Sequence, residues 1–518
     1  MQKNKKTFFI TSPIFYTSGN LHIGHLYTNT LAWVLKNYKI LRGYEAKFLT
    51  GSDEHGQKIL KKANELNMDV KEYVDAQVEK FVELWKLAEI DYDFFSRTTN
   101  KNHMEIVQNI FEKLLSKKII YKSVYKGLYS VSSEEFLTPN QAVEENGKFY
   151  HPVSKDLLIE LEEESYFFKM SSFQKWLINH WKTKQNIIFP TQVITELLNN
   201  FVKKNLEDLS VTRVSFDWGI KIKSDKKHVI YVWLDALFNY ITALNYSLEN
   251  DNDYVKFWKN GDEKVHIIGK EISRFHCIYW PIFLNALDLP QPTKIIVHGL
   301  INDSEGRKMS KSLNNVVDPI YLLKKYSPEV VKFYLSTQLT MTSDSKFDEE
   351  HLKSIYNSLL SNNYGNLLSR TIAMVKQSFI DKPVKYKENQ LTKLEKEIFD
   401  DILKTKEIYI NEMDNFLISK AYKSVFDFSK KLNGYIDITM PWTLKNNLER
   451  LEVVLNTLLN GIYSVSVFLS IIFTKKINEV KNQLKIDDFS LENIGNWNLF
   501  DNIIVEKKEP LFQRISEK

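Results

Sequence analysis

The sequence predicts an α/β protein: a Rossmann-type parallel-sheet domain, split by a small inserted domain and followed by an α-helical bundle domain. Three observations predict it. The chain opens on a strand, loop, helix, strand unit, the start of a doubly wound fold. Short apolar strands followed by helical sequence return after residue 225. Beyond residue 349 glycine and proline become rare and apolar residues recur at helical spacing.

The elements follow in order. Thr7-Phe8-Phe9-Ile10-Thr11-Ser12 reads as a buried strand ending in turn chemistry, and a loop with Pro13 and Gly19-Asn20 follows. Ile23, Leu26, Thr30, Leu31, Val34, Leu35, Tyr38 and Leu41 then mark a helix that Gly43 stops. Residues 46–50 are the next strand, and residues 1–118 form the first half of the sheet domain. Residues 119–225, with Gly127, Pro139, Gly147, Pro152, Pro190 and the acidic run 160–164, read as an insertion. Strands are expected at 229–233, 265–268 and 294–297, within a second half spanning 226–348. A helical bundle takes 349–475, and a mixed tail, 476–518, returns at Pro510-Leu511-Phe512 to pack on the body.

Composition narrows the function classes. At 518 residues the chain calls for more than one core, and its 43% hydrophobic and 26% charged residues have the balance of a soluble globular protein. A net charge of +5 gives no global field for nucleic acid, so an RNA site must be a local basic face. The single cysteine, Cys277, excludes an internal disulfide and a thiolate-rich metal site. The apolar stretch Phe8-Phe9-Ile10 is too short for a signal-peptide core. Residues 462–473 hold three serines and run on to Lys475-Lys476, so a cytoplasmic address is expected.

Two constellations carry chemistry. His22-Ile23-Gly24-His25 sits where the first helix starts, directly after the first strand. Imidazoles three residues apart share a helix face, Gly24 leaves room for close approach, and a helix N-terminus suits phosphate. Taken alone, the same residues also fit two surface histidines at a helix cap. Lys308-Met309-Ser310-Lys311-Ser312 follows the strand at 294–297 through a polar turn, and Asp318-Pro319 then opens a helix as N-cap and first helical residue. Two ammonium groups on one loop suit a departing polyphosphate, although a basic loop is also an ordinary solvated turn. Each motif occurs once, at a strand-to-helix junction, in the order a nucleotide site needs.

Together the motifs resemble the class I aminoacyl-tRNA synthetases. Further stretches resemble the methionyl-tRNA synthetases: Thr11-Ser12-Pro13-Ile14-Phe15-Tyr16, Thr50-Gly51-Ser52-Asp53-Glu54-His55-Gly56, Tyr231-Val232-Trp233-Leu234-Asp235-Ala236 and Gly269-Lys270-Glu271-Ile272-Ser273-Arg274-Phe275-His276. The resemblance runs from about residue 7 to the end of the chain. It implies methionine, ATP with Mg²⁺, and tRNA(Met), the initiator included, as partners of a monomer. It implies ATP contacts from His22, Gly24, His25, Lys308, Ser310 and Lys311, with His22, His25, Lys308 and Lys311 catalytic. It implies a methionine site with Ile14 and Tyr16 as a wall, Asp53 on the ammonium group, and Trp233, Ala236, Tyr240 and His276 around the thioether. A polarizable sulfur suits aromatic contacts, although buried aromatics are also ordinary packing. Lys270 and Arg274, four apart, face either ATP or solvent.

Members of that family often carry a four-cysteine zinc knuckle in the insertion. Ser130, Ser133, His151 and Ser154 stand at those places, and serine hydroxyls are poor zinc ligands, so a zinc-free insertion is expected and no metal residue is assigned. The insertion is short beside a hydrolytic editing module. The bundle resembles the family's anticodon-binding domain, which implies base recognition by Asn366, Arg370 and Trp442. Three rivals stay open: a class I synthetase for leucine or valine, a non-catalytic RNA-binding relative, and a small-metabolite nucleotidyltransferase. Amino-acid-dependent exchange separates the first, and absence of exchange marks the second. The third leaves the bundle and residues 308–312 unexplained.

Overall fold

Phe8, Phe9 and Ile10 lie wholly buried, each worth about 1.5–3 kcal/mol on burial, and they anchor the first strand at the centre of a sheet. A computed structural model describes residues 5–130, 135–137, 139, 142–152, 154–203, 206–309 and 315–516. By internal contacts the chain divides into two units: Met1–Lys36 with Tyr44–Leu300, and Asn37–Gly43 with Ile301–Lys518.

The first unit is built on β1 (Thr7–Tyr16), α1 (Ile23–Leu41), β2 (Glu45–Asp53) and β3 (Phe94–Arg97). Gly43, at φ +82°, supplies the left-handed stop after α1. α2 (Lys101–Ser116) leads into β4 (Ile120–Ser130), which pairs antiparallel with β5 (Ile159–Phe168) from Ile120 opposite Phe168 to Tyr129 opposite Ile159. The acidic run thus lies on β5, with Lys122 and Lys126 across from it on Glu164 and Glu162.

Next come β6 (Ile188–Phe189), β7 (Thr212–Arg213), β8 (Val229–Ile230), α3 (Val232–Leu237), β9 (Glu263–Gly269) and β10 (Lys294–His298). The main sheet is parallel throughout, in the order β3-β2-β1-β9-β10-β6. Continuous apolar runs such as Ile267–Ile268 and Ile295–Val297 are what a parallel strand covered on both faces requires.

Two expectations change here. The strand expected at 229–233 ends after Ile230, pairs antiparallel with β7 rather than joining the main sheet, and gives way to α3. The sixth place in the main sheet belongs to β6, inside the inserted region. Phe168, Leu177, Trp181 and Ile188 share one apolar core with Phe9, Leu49 and Ile268, so the insertion is packed into the sheet domain. Leu128, Leu137 and Leu158 form a small satellite core at its outer end.

The second unit is helical. Asp318 caps α4 (Pro319–Tyr326) by accepting the Ile320 N–H, as the Asp-Pro pair predicts. α5 (Asn366–Ser378), α6 (Lys393–Asp414) and α7 (Ile418–Thr439) surround α8 (Leu448–Leu469). α8 is apolar enough and long enough to cross a membrane, yet 94% of its apolar window is buried in the protein: it is the bundle's core helix. Its Ser466 hydroxyl bonds Tyr364, and the Phe468 carbonyl accepts the Tyr422 hydroxyl at 2.8 Å. In the tail, Phe512 is buried and its carbonyl accepts from Ser361.

Candidate active site

Sheet order puts a topological switch between β1 and β9, and ligands of doubly wound folds bind beyond the carboxyl ends of strands at such a switch. β1 ends at Tyr16, β2 at Asp53 and β9 at Gly269. The expected site residues of the first unit cluster around those ends.

His22 lies just before α1 and His25 in its first turn, with ring centroids 3.9 Å apart. The backbone N–H of His22 donates to His25 Nδ1 at 2.9 Å, and that of Gly24 donates to His22 Nδ1 at 3.1 Å. Both Nδ1 atoms are therefore acceptors, which leaves the proton of each neutral ring on Nε2. Burial, and then the neighbouring His22, hold the His25 pKa well below its ordinary value. The turn thus presents imidazole N–H donors at a helix N-terminus. A Cβ at position 24 would lie 2.9 Å from His22 Cε1, so the glycine makes room for the histidine ring itself.

Across the switch, Tyr16 pairs in register with Asp53, and Ile14 with Gly51. Thr17 fixes the Asp53 backbone, its N–H and its hydroxyl both donating to the Asp53 carbonyl. Asp53 lies close enough to Tyr240 for its charge to act on that phenol. Tyr240 is fully buried and bonds His276 Nε2 through its hydroxyl at 2.7 Å, while His276 Nδ1 donates to the Ile272 carbonyl at 3.0 Å. Since Nδ1 is the donor, Nε2 must accept, so the Tyr240 proton points at His276. Burial holds His276 down to about 4. Trp233 stacks on Phe275 at 3.7 Å and stands edge-on to His276, and Ala236 is buried one turn along α3 from Trp233. Ile14, Tyr16, Asp53, Trp233, Ala236, Tyr240 and His276 all belong to this one unit, and within it Trp233, Tyr240 and His276 form an aromatic cluster within reach of the Asp53 charge.

Lys270 is exposed in the turn after β9. Arg274 lies over Phe201 at 4.6 Å and Tyr279 at 5.4 Å and feels the charge of Glu207, neighbours drawn partly from the insertion. Lys308, in the second unit, is exposed and pairs with Asn302 in an isolated bridge. Ser310 and Lys311 lie outside the described residues. Asp303 organises the turn before them: it accepts the Arg307 and Glu305 N–H groups and the Asn315 side chain at 2.9 Å, and Asn315 first, then Arg307, hold it down to about 2.

In the bundle, Asn366 is exposed and Arg370 reaches Asp437 at 3.6 Å. Trp442 is 47% exposed in the turn Pro441–Asn446, which packs against α5, the helix of Asn366 and Arg370.

In the insertion, Ser130 donates to Asp156 at 2.7 Å, the Ser154 hydroxyl donates to the same carboxylate, and the Ser154 N–H bonds His151 Nδ1. Ser133 lies outside the described residues. These hydroxyls are directed at a carboxylate, and a hydroxyl is a poor zinc ligand beside a thiolate. Among the described residues, only Glu164, Asp225 and His228 group at metal-ligand spacing, and the Lys122 ammonium sits on both of those carboxylates at 2.8 and 2.9 Å.

Two clusters were not expected from the sequence. Asp235 lies between His55 and His103. The Thr11 hydroxyl bonds Tyr240 and lies 2.7 Å from His266 Nδ1, with His266 Nε2 accepting from Trp280. Asp235 and His55 stand within stretches quoted for the resemblance, but nothing in their spacing tells that they meet across 180 residues.

A histidine pair on a helix N-terminus beside the switch of a parallel sheet is an arrangement suited to binding a nucleotide. The family described as tRNA synthetases class I (M) matches residues 8–148 and 151–372, and the chain belongs to it. It is 51% identical over 514 residues to a methionine–tRNA ligase of Mycoplasmopsis pulmonis, covering 99% of each chain. It is 40% identical over 528 residues to that of Bacillus subtilis, covering 99% of this chain and 79% of the relative. The structure superposes on Mycobacterium tuberculosis methionyl-tRNA synthetase in complex with methionyl-adenylate with a TM-score of 0.93 at 26% identity, over 98% of this chain and 100% of that one.

Proposed function

We propose that the chain is a methionine–tRNA ligase. It activates methionine with ATP to methionyl-adenylate and pyrophosphate, then transfers methionine to the 3′-terminal adenosine of tRNA(Met), the initiator included. The full-length match to methionine–tRNA ligases carries this reading, and the pocket of Asp53, Trp233, Tyr240 and His276 at the switch agrees with it.

In the first step a carboxylate oxygen of methionine attacks the α-phosphorus and the bond to the β-phosphate oxygen breaks. No proton moves and no covalent enzyme intermediate forms, so the chain acts by positioning and by stabilising charge. Asp53 takes the ammonium group. Ile14 and Tyr16 wall the substrate, and Trp233, Ala236, Tyr240 and His276 enclose the thioether. His22 and His25 donate to the phosphates from Nε2, with Gly24 giving them space. Lys308, Ser310 and Lys311 take the charge of the leaving pyrophosphate, and Lys270 and Arg274 complete the nucleotide contacts. Mg²⁺ accompanies ATP and neutralises its phosphate charge. No zinc is part of the reading. Asn366, Arg370 and Trp442 read the anticodon by edge contacts and stacking. We take the enzyme to be a cytoplasmic monomer, with a sheet domain (1–118 and 226–348), an insertion (119–225), an anticodon-binding bundle (349–475) and a tail.

Methionine-dependent ATP–pyrophosphate exchange tests the function. We expect exchange with methionine, much less with leucine or valine, and a fall of two or more orders of magnitude in Lys311→Ala. Exchange with no amino acid overturns the enzyme reading, and preference for another amino acid overturns the substrate.

A further inference from the structure

Asp235 is a costly residue to bury. It is 0% exposed, and a lone carboxylate there would carry a penalty of several kcal/mol. Two imidazoles meet it. His55 Nδ1 lies 2.6 Å from one oxygen and His103 Nε2 lies 2.7 Å from the other. His103 in turn holds the Thr242 hydroxyl through Nδ1 at 2.7 Å. Burial alone would raise the Asp235 pKa, yet the two histidines keep it below the ordinary carboxylate range. Both histidines are themselves buried, so this is a closed polar network rather than a solvated cluster.

The segments it joins are those of the methionine site. His55 comes two residues after Asp53, the proposed ammonium acceptor, and Asp235 two residues after Trp233, the proposed thioether wall. The stretch around His55 is tied from further sides. The Trp218 indole N–H donates to the Glu54 carbonyl at 2.6 Å and its ring stands edge-on to His55. Arg97 grips the Glu54 carboxylate with two N–H groups, at 2.7 and 2.9 Å. The end of β2 is therefore rigid as a body, and the His55–Asp235 bond sets where that body stands relative to α3.

We infer that Asp235, clasped by His55 and His103, is a positioning residue that fixes the distance between the ammonium site at Asp53 and the aromatic pocket at Trp233. This rests on the proposed methionine site. The network touches no substrate atom; it sets the gap that a substrate must span with its ammonium at one end and its sulfur at the other.

The test compares two ligands on one fold: L-methionine, and 4-(methylthio)butanoate, which has the thioether and carboxylate but no ammonium. Affinities are read by competition in the exchange assay for the wild type, Asp235→Asn, His103→Gln and Asp53→Ala. In Asp235→Asn we expect the KM for methionine to rise at least tenfold, with the KM for ATP and the inhibition constant of the ammonium-free ligand within about twofold of wild type. His103→Gln, which keeps the His55–Asp235 bond, should show the same selectivity at a smaller size, and serves if Asp235→Asn does not fold. Equal weakening of both ligands and of ATP in these variants, or no weakening at all, overturns the inference. If Asp53→Ala penalises methionine selectively and Asp235→Asn and His103→Gln do not, the positioning role falls and the site stands. If Asp53→Ala is indifferent to the ammonium group, the ammonium assignment itself falls, and the inference with it.

Discussion

At the scale of single residues, the His22–His25 turn shows how a short motif encodes a protonation state. Backbone N–H groups occupy both Nδ1 atoms, and burial disfavours the charged form of His25, so neutral rings with outward Nε2–H groups result. Gly24 is part of that device. Gly24→Ala places a methyl 2.9 Å from the His22 ring and must turn it. We expect a fall in exchange kcat of up to about a hundredfold, since an ångström of displacement at a reacting centre costs that much. An unchanged melting temperature would locate the loss in the site.

Neutral histidines also bear on stability. Burial depresses His25, His266, His276 and His298, and His276 reaches about 4. Below about pH 6.5 the unfolded chain takes up protons that these folded rings refuse, so acid favours unfolding. Glu395 adds to this at lower pH: burial would raise it, but Arg450, Thr392 and Tyr435 hold it at about 2. The melting temperature should therefore fall steadily as pH drops from 6.5 to 4, and a flat profile would contradict the neutral assignments. The sequence displayed the histidines of the motif. It could not display their tautomers, which depend on donor geometry, nor the role of His266, whose partner Thr11 is 255 residues away along the chain.

At the scale of elements, β1, α1, β2, β9 and β10 were legible because their apolar runs and periodicities have length enough to read. The segment 229–233 misled because Tyr231, Val232 and Trp233 have strand propensity, whereas the chain turns into α3 and buries Asp235 between two histidines. β6 was invisible: a two-residue strand has no period. In the insertion, the Ser130 and Ser154 hydroxyls meet on the Asp156 carboxylate. Asp156→Ala leaves the buried Ser130 hydroxyl without that acceptor, and we expect a loss of about 1–3 kcal/mol in denaturant unfolding. Added zinc should leave the melting temperature of the wild type unchanged, and a rise of several degrees would contradict the zinc-free reading.

At the scale of the whole molecule, the proposed function gives the bundle and the sheet separable tasks. Trp442 is half-exposed beside the helix of Asn366 and Arg370, where a stacked base would find it. Trp442→Ala should lower tRNA charging by ten- to a hundredfold, at about 1–3 kcal/mol per stacked base, and leave amino-acid-dependent exchange intact. Equal loss of both would point to folding rather than recognition. The helical character of the bundle was legible from the change in glycine and proline use beyond residue 349, and its proposed role only through resemblance, because an exposed tryptophan alone does not name its partner.

The placing of β6 has a consequence for how the protein comes into being. β1 borders β9, some 255 residues later, and β10 borders β6, which lies between them in sequence. A growing polypeptide leaving the ribosome cannot close its central layer until the segment ending at His298 has emerged. Until the segment ending at Gly269 has followed, the earliest-made strand, wholly apolar at Phe8, Phe9 and Ile10, keeps one flank bare, the situation in which nascent chains depend on chaperone shielding.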